Sequence, residues 1–264
     1  MHYTDGPRPR LFAHRGGSLE APENTIEAFR HGLEAGCDRL ELDIHAAADG
    51  ELVVIHDPTL ERTTDGTGEV RHHTLARLRE FDAGARFLAA DGSRPFAGRG
   101  LRIPSFAEVL EAFPHVALNV EIKQSDPPMV QATFDLLAHY GARSRVLLAA
   151  EHDDIMAEIR ARDPGGPTGA STGDVLGFIA AWGEGRLASW RAPGLAFQIP
   201  PEFNGSPVVT GESLARMHAA GLEVHVWTID DAAEMDRLLD LGIDGIMTDR
   251  PTLAAEVFRR RGLR

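Results

Sequence analysis

The stretch "RLELDIHAAADGELVVIHD", Arg39–Asp57, is the most informative part of the chain. Its first half alternates as a strand does, and one face of that strand is formed by Leu40, Leu42 and Ile44. The opposite face carries Glu41 and Asp43, about 7 Å apart by the rise of a strand. Strands inside α/β proteins are normally apolar on both faces, so two acids there repel each other unless a cation neutralises them. The stretch therefore predicts a core strand with a cation site; a solvated edge strand whose acids face water is the alternative.

Outward from this stretch, short apolar runs alternate with longer stretches of helical period, the pattern of βα units and a parallel sheet. We predict strands at Arg10–His14, Arg39–His45, Ala117–Lys123, Arg145–Ala149, Thr168–Ala170, Leu195–Ile199, Glu223–Thr228 and Gly245–Thr248. Among the predicted helices are Asn24–Ala35, Pro128–Tyr140, Asp153–Arg162, Ser213–Ala220 and Ala232–Leu241. Eight strands with their helices in about 250 residues are typical of a (β/α)₈ TIM barrel, an α/β fold. A doubly wound open sheet is the alternative, since a strand count does not show closure.

Between Asp57 and Pro104 this alternation stops, and the chain becomes rich in Gly, Arg, Asp and Thr. We interpret residues 58–104 as a small insertion after the second strand, within a single domain spanning 1–264, with a short helix near Leu75–Asp82. A loop of this length inside a compact domain is usually functional, often as a lid or a substrate wall. A tolerated surface insertion without a function is the alternative.

Composition excludes several classes of protein. The 264 residues include 27 Lys and Arg against 40 Asp and Glu, a net charge of −13, which disfavours binding to nucleic acid or to an anionic membrane surface. The single cysteine, Cys37, excludes an internal disulfide and a thiolate zinc cluster, and we expect it to be a small buried residue. The N-terminus has no apolar signal region, and no run approaches the roughly 18 apolar residues of a membrane span. These features predict a cytoplasmic protein without stable membrane association, and they leave its oligomeric state open.

A third carboxylate occurs on the next predicted strand, in "ALNVEIKQ". Glu121 and Lys123 share one face of this strand, opposite the apolar face. Carboxylate oxygens suit hard divalent cations such as Ca²⁺ or Mg²⁺, and a lysine can hold a phosphate as a point charge. An exposed ion pair between Glu121 and Lys123 is the alternative.

Two histidines stand at strand ends, His14 in "LFAHRGG" and His56 in "VVIHDPT". Histidine is the side chain best suited to general acid or base work near neutral pH, and Asp57 is placed to orient His56. Each histidine alone is more often a surface or core residue. Together, beside two acidic strands and at the strand ends where barrels carry their active residues, they predict an acid–base pair.

Other residues near strand ends are weaker candidates. His225 and Trp227 share a strand face in "VHVWTID" and either can line the barrel mouth, with a core aromatic as the equal alternative; Gln198 is a candidate rim donor. The chain contains no HExxH, no paired HxH histidines and no P-loop. Zinc hydrolysis and nucleotide-driven phosphoryl transfer therefore lose support.

Seven stretches, in this order and spacing, are specific to one known family: "AHRGG", "APENTIEAF", "ELDIHAAADGELVVIHDPTLERTTDGTG", "IPSFAEVL", "LNVEIK", "VHVWTID" and "GIDGIMTDRP". Over nearly its full length the chain resembles the glycerophosphodiester phosphodiesterase family. The resemblance implies a (β/α)₈ barrel with an insertion after the second strand. It also implies metal-dependent hydrolysis of glycerophosphodiesters, such as glycerophosphocholine or glycerophosphoethanolamine, to glycerol 3-phosphate and an alcohol.

Position by position, the resemblance implies an acid–base pair, His14 and His56. It implies ligands for one divalent cation, Ca²⁺ or Mg²⁺: Glu41, Asp43 and Glu121. It implies cations that contact the phosphate: Arg15 and Lys123. We add two substrate-binding candidates, Trp227 at the mouth and Asn24, which we expect to cap the first helix and to face the substrate.

The chain departs from the family pattern after two strands, where it has Ala150-Glu151-His152 and Ile229-Asp230. We expect these positions to shape the pocket for the alcohol. Related activities on the same scaffold, such as lysophospholipase D, phosphoinositide-type lipase or sphingomyelinase-D-like activity, are alternatives within enzymes. The last usually belongs to secreted chains with disulfides, which the lone Cys37 opposes. From a different class, a non-catalytic barrel that binds anionic metabolites is the remaining alternative.

Overall fold

The structure, a computed structural model, describes all residues from Met1 to Arg264. Its strands are β1 (Arg10–Ala13), β2 (Arg39–Ala46), β3 (Leu52–Val54), β4 (Ala117–Ile122), β5 (Val146–Ala149), β6 (Ala196–Ile199), β7 (Glu202–Phe203), β8 (Ser206–Pro207), β9 (Glu223–Val226) and β10 (Gly245–Thr248). Its α-helices are α1 (Ile26–Ala35), α2 (Leu75–Leu78), α3 (Phe106–Ala112), α4 (Val130–His139), α5 (Asp153–Arg162), α6 (Thr172–Gly183), α7 (Gly211–Ala219), α8 (Ala232–Leu241) and α9 (Pro251–Arg260).

Seven strands form one curled parallel sheet in the order β5-β4-β2-β1-β10-β9-β6. Thr168 joins the two outer strands of this order. It makes a parallel bridge to Leu148 of β5, and its carbonyl accepts a 2.8 Å hydrogen bond from the amide of Leu195, directly before β6. The sheet therefore closes into a (β/α)₈ barrel in which one bridging residue occupies the place of the eighth strand.

The two faces of the barrel wall bury different kinds of side chain. The outer face packs against the helices in a cluster of 44 buried residues, to which β2 contributes Leu40, Leu42 and Ile44. A smaller apolar cluster contains residues of the inner face: Phe12, Ala117, Leu147, Ala196 and Met247. Alternation along β2 and β4 thus sends their aliphatic residues to the helices and their polar residues to the barrel interior.

The amino ends of the strands are closed by a buried polar cluster. Arg10, at the start of β1, donates hydrogen bonds of 2.7 and 2.9 Å to the two carboxylate oxygens of Glu223, at the start of β9. His225 lies 3.0 Å from the same carboxylate, and its ring is fully buried. Tyr3 fills the floor, fully buried, and its amide donates to the Ser144 carbonyl at 2.7 Å. Bidentate pairing to Arg10 is what makes the burial of the Glu223 charge tolerable.

The insertion has its own small core. β3 pairs antiparallel with β2 and returns the chain along it. Nine buried residues pack together under the insertion: Ala47, Val53, Ile55, Leu60, Val70, Leu78, Ala83, Leu101 and Ile103. A hydrogen bond of 3.1 Å from the Ile55 amide to the Asp43 carbonyl brings the following residue, His56, beside β2. The insertion is therefore anchored next to the strand that carries the acids.

Several predicted elements are corrected by the structure. Thr168–Ala170 is not a strand, because only Thr168 bridges and the chain then enters α6. The helix predicted near Leu75–Asp82 ends at Leu78. The short hairpin of β7 and β8 carried no strand signal, since each arm has two residues. Cys37 is a free, buried cysteine, as expected. No helix has the length and apolar character needed to cross a membrane.

Candidate active site

Three carboxylates meet inside the barrel at the carboxyl ends of β2 and β4. The parallel register places Asp43 beside Glu121, and both acids of β2 face inward because its aliphatic residues face the helices. One oxygen from each of Glu41, Asp43 and Glu121 lies within 4.8 Å of the others. Glu41 and Asp43 are buried, whereas the Glu121 side chain remains about a quarter exposed, at 26%. The cluster is thus a deep acidic site with one open side.

Two cations share the negative charge of this cluster. Lys123 Nζ lies 3.1 Å from Asp43 Oδ1 and 2.9 Å from Glu121 Oε1. Arg15 Nε lies 3.3 Å from Asp43 Oδ2, and the Arg15 amide donates to Glu41 Oε2 at 3.0 Å. The predicted phosphate-contacting cations are therefore both at the acidic cluster.

The backbone after β1 turns sharply to place Arg15. Arg15 has φ 51° and Gly16 has φ 89°, so two successive residues adopt left-handed conformations. A Cβ on Gly16 would lie 2.6 Å from the carbonyl carbon and from the Cβ of Ala28 in α1. Glycine at position 16 is what lets the turn pack against α1.

Asn24 lies at the acidic cluster, but it does not cap the first helix. Its side-chain amide donates to Asp43 Oδ2 at 3.0 Å, and its own φ of 57° is left-handed. The cap is Thr25, whose hydroxyl accepts the Ala28 amide. Thr25 has the extended backbone that an N-cap needs, and Asn24 does not, so the predicted cap was wrong by one residue.

His14 is held from one side by Asp249. Its Nδ1 lies 2.7 Å from Asp249 Oδ1, and its Nε2 lies 3.8 Å from Glu41 Oε2. Burial disfavours the imidazolium, but the hydrogen bond to Asp249 and the charge of Glu41 outweigh it, so the pKa of His14 lies above its ordinary value. The Nε2 atom is directed at the acidic cluster.

His56 has the same type of partner as His14, an aspartate carboxylate at Nδ1. Its Nδ1 lies 2.7 Å from Asp57 Oδ1. Burial raises the pKa of Asp57, but hydrogen bonds from Arg62 and His56 outweigh it and hold that pKa at about 2. Asp57 is therefore ionised at neutral pH and can accept the Nδ1 proton of His56.

The acids of the cluster differ in their affinity for protons. Burial, followed by the charge of Asp43, raises the pKa of Glu41 to about 7. Burial also acts against the charge of Asp43, but Lys123 and Arg15 outweigh it and lower the pKa of Asp43. Three carboxylates share two cations, Lys123 and Arg15, so the cluster carries negative charge in excess of the cations present. A set of three carboxylates suits a hard divalent cation, so these residues fit a Ca²⁺ or Mg²⁺ ion.

A cleft of about 510 Å³ opens beside His56, Glu121 and Lys123. Of its 13 lining residues one is hydrophobic, so the cleft is suited to a polar group rather than to an acyl chain. Glu151 and His152, which depart from the family pattern, line it. Asp230, the other position that departs from the family pattern, does not line this cleft. Its carboxylate accepts hydrogen bonds from the Thr248 hydroxyl and from the amide of Asp249.

Three weaker candidates are not at the acidic cluster. Gln198 donates to Asn119 Oδ1 at 2.7 Å inside the barrel, and His225 is buried at the floor. Trp227 follows β9 at the mouth with 42% of its surface exposed, but it does not line the cleft. His225 and Trp227 thus lie at different depths along the barrel axis, although they share a strand face.

Sequence reasoning missed three residues that contact the site. Asp249 orients His14, Glu23 Oε1 accepts from Arg15 at 3.3 Å, and Arg62 binds both Asp57 and Glu23. Asp249 follows the carboxyl end of β10, so its place at a strand end was the one available signal. The partners of Glu23 and Arg62 depend on how the insertion folds over the barrel.

A family model, two curated relatives and a solved structure that are similar to this chain are all of phosphodiesterases. The model of the Glycerophosphoryl diester phosphodiesterase family matches residues 14–253. A glycerophosphodiester phosphodiesterase of Caldanaerobacter subterraneus subsp. tengcongensis is 32% identical over 258 residues, covering 96% of this chain and 98% of that protein. One of Bacillus altitudinis is 31% identical, covering 94% and 97%. An Oleispira antarctica phosphodiesterase, solved in complex with the product sn-glycerol-3-phosphate, aligns with TM-score 0.79 and 26% identity over 96% of this chain and 97% of that one.

Proposed function

The chain belongs to the glycerophosphoryl diester phosphodiesterase family, and we propose from this premise that it hydrolyses glycerophosphodiesters to glycerol 3-phosphate and an alcohol. One observation carries the proposal. The acidic cluster of Glu41, Asp43 and Glu121 is flanked by two histidines, each of which has a carboxylate on Nδ1. This arrangement leaves the two Nε2 atoms available for proton transfer to and from a bound phosphodiester.

Glu41, Asp43 and Glu121 would hold one divalent cation, Ca²⁺ or Mg²⁺. Such a cation, when bound, offsets charge on the phosphate oxygens and on the leaving oxygen. We assign the remaining phosphate charge to Arg15 and Lys123, because both cations lie at the acidic cluster. Asn24 holds Asp43 in place through its side-chain amide.

His14 and His56 exchange protons with the substrate. One takes a proton from the attacking hydroxyl, which is water or a neighbouring substrate hydroxyl, and the other gives a proton to the departing alcohol. Asp249 and Asp57 keep the Nδ1 protons in place, so that in the neutral form Nε2 is the acceptor. The two histidines therefore supply an acid and a base.

The alcohol leaves through the polar cleft. A cleft with one hydrophobic residue among its 13 lining residues favours a water-soluble headgroup over a lysolipid, which has an acyl chain to bury. Glu151 and His152 from the loop after β5 contribute to this wall. The polarity of the cleft is the reason to prefer glycerophosphodiester hydrolysis over a lysophospholipase D activity.

The proposal is tested by assaying the metal-stripped protein with glycerophosphocholine, lysophosphatidylcholine and bis-(p-nitrophenyl) phosphate. Each assay is run with Ca²⁺, with Mg²⁺ and with EDTA. We expect hydrolysis of glycerophosphocholine that requires a divalent cation and exceeds hydrolysis of the lysolipid. Full activity in EDTA contradicts the metal site, faster turnover of the lysolipid contradicts the substrate, and binding without turnover supports a non-catalytic barrel.

A further inference from the structure

Arg62, in the insertion, joins the carboxylates of two separate segments. Its Nε and Nη2 donate to the two oxygens of Asp57 at 2.6 and 3.0 Å. Its Nη1 and Nη2 donate to the two oxygens of Glu23 at 2.6 and 2.8 Å. One planar guanidinium thus forms four hydrogen bonds to two acids, a geometry that a lysine ammonium cannot reproduce.

Each of these acids holds a residue of the proposed active site. Asp57 accepts from Nδ1 of His56, and Glu23 accepts from Nη1 of Arg15 at 3.3 Å. Apart from these two contacts, the only side chain that hydrogen-bonds to either carboxylate is Arg62. Without Arg62, Asp57 would therefore keep only its hydrogen bond to His56, and Glu23 only its hydrogen bond to Arg15. Neither acid would then be held in place by a second side chain.

The backbone of Arg62 is well fixed, although its side chain is 46% exposed. It lies between Leu60 and Thr64, both buried. The Thr64 hydroxyl donates to the Leu60 carbonyl at 2.8 Å, and the Leu60 amide donates to the Gly68 carbonyl at 3.1 Å. Leu60 belongs to the core cluster of the insertion. The insertion thus presents the guanidinium from a rigid base rather than from a mobile loop.

We propose that Arg62 is a positioning residue, which fixes Asp57 and Glu23 and through them orients both His56 and Arg15. This inference rests on the proposed function, since it assumes that His56 moves protons and that Arg15 binds phosphate. It also gives the insertion a task that its sequence did not reveal. The small core of the insertion holds Arg62 in place, and Arg62 connects His56, which would move protons, to Arg15, which would bind the phosphate.

The kinetic test compares Arg62→Ala and Arg62→Lys with Arg77→Ala, which removes an arginine of similar exposure that pairs with Glu80 within the same insertion. Misplaced catalytic and binding groups typically cost about 10- to 100-fold, so kcat/KM should fall by that factor in both Arg62 variants. Arg77→Ala should stay within about 2-fold of wild type, as surface substitutions do. Because Arg62 is half exposed, added guanidinium ion should restore part of the rate of Arg62→Ala.

Two kinetic outcomes would overturn the proposal. Wild-type kcat/KM in Arg62→Ala shows that neither acid needs the guanidinium. Wild-type kcat/KM in Arg62→Lys shows that charge alone suffices and that the fork geometry is irrelevant. A lowered rate that guanidinium does not restore, together with a lowered unfolding temperature, shows that Arg62 merely stabilises the fold, which also contradicts a positioning role.

A second readout does not require turnover. The ¹⁵N signals of the His56 ring report which nitrogen carries the proton in the neutral form. We expect the Nδ1-protonated tautomer in the wild type, held by Asp57, and a mixture of tautomers in Arg62→Ala. If the wild-type protein hydrolyses no diester, the proposed function fails, but this measurement still decides the positioning role: an unchanged tautomer in Arg62→Ala refutes it.

Discussion

His14 Nδ1 and Asp249 Oδ1 lie 2.7 Å apart, although 235 positions separate the two residues in the chain. β1 and β10 pair in parallel, so the loops after them leave the barrel side by side and bring the ring and the carboxylate together. Asp249 is itself fixed by Asp230, which accepts its amide at 2.7 Å. The pairing directs the other ring nitrogen of His14 towards the acidic cluster, and it makes His14 and Asp249 one unit.

Asp249→Asn is therefore expected to impair catalysis more than binding. An asparagine amide can donate to Nδ1 and favour the tautomer with its proton on Nε2. We expect kcat to fall by about 10²-fold with little change in KM, in line with the contribution of general acid–base catalysis. The pH–rate limb that reports His14 should move to lower pH, because Asp249 raises the pKa of His14. Asp240→Asn, which changes a largely exposed acid that pairs with Arg261, is the control, and equal kinetics in both variants would refute the role of Asp249.

The histidines themselves give a direct test of acid–base chemistry. His14→Ala and His56→Ala should each lower kcat by about 10²-fold or more, and wild-type kcat/KM should show a bell-shaped pH dependence. His139→Ala is the control, because this residue lies in the last turn of α4, away from the cluster. Near-normal turnover by either site variant contradicts the assignment.

The raised pKa of Glu41 has a measurable effect on stability. In the metal-free protein it lies at about 7, against an ordinary value of 4.5. Between these pH values the folded state keeps a proton that the unfolded chain has lost, so the free energy of unfolding should fall as pH rises through this window. Glu41→Gln should remove this loss and make the metal-free protein more stable than wild type above pH 7.

Urea unfolding in EDTA at pH 5 and pH 8 measures the effect of Glu41→Gln. Glu111→Gln, an exposed acid on α3, is the matched control and should follow the wild type. With Ca²⁺ or Mg²⁺ present the order should reverse at pH 8, since the ion stabilises the folded protein that binds it and the variant has lost a ligand. A variant that gains as much stability from the ion as the wild type does would exclude Glu41 as a ligand.

The turn after β1 depends on Gly16. Gly16→Ala introduces a Cβ 2.6 Å from Ala28 at a φ of 89°, whereas Gly50→Ala has a φ of 83° with no atom within 4 Å. Gly50→Ala should cost about 1 kcal/mol from its backbone conformation alone, and Gly16→Ala about 3 kcal/mol or more from conformation and overlap together. Thermal unfolding distinguishes the two. Gly16→Ala should also lower kcat because His14 and Arg15 precede it, and equal stabilities would show that the turn tolerates a side chain.

The floor of the barrel predicts a loss of stability that is independent of the active site. Glu223→Gln leaves Arg10 buried without a full countercharge, which should cost about 3 kcal/mol or more. Burial acts against the Glu223 charge, but Arg10 and His225 outweigh it and lower the pKa of Glu223. The pair should therefore stabilise the fold at any pH above the ordinary pKa of a glutamate. This stabilisation should be lost as the pH falls through the lowered pKa of Glu223.

The control for the floor is Glu212→Gln, which breaks an exposed pair with Arg216 on α7 and should change stability by less than about 0.5 kcal/mol. The stability of both variants is measured by urea unfolding at pH 7. Metal binding should be unchanged in both, because the floor lies at the opposite end of the strands from the acidic cluster. A loss of stability no larger in Glu223→Gln than in Glu212→Gln would show that the buried pair contributes nothing.

The acidic cluster was predictable because it follows from local rules. Alternation puts Glu41 and Asp43 on one face of β2, and parallel neighbours bring Glu121 to the same level. Depth along the barrel axis was not predictable: Gln198 and His225 face inward as expected but lie below the mouth. Partners such as Asp249 were missed because they meet only after the barrel closes. The misplaced cap at Asn24 arose because two adjacent residues both have capping side chains, and only backbone geometry distinguishes them.

The barrel wall has fewer backbone hydrogen bonds at Thr168 than along its regular strands. Seven of the eight positions around the ring are regular strands, and the remaining position is held by one residue with a few backbone hydrogen bonds. Local opening begins where cooperative hydrogen bonding is weakest, so the seam between β5 and β6 should exchange its amide protons fastest and admit water first on heating. This seam lies across the ring from β1, which leads into His14 and Arg15. The wall of the barrel can thus open locally at this seam while His14 and Arg15 stay in register on the other side of the ring.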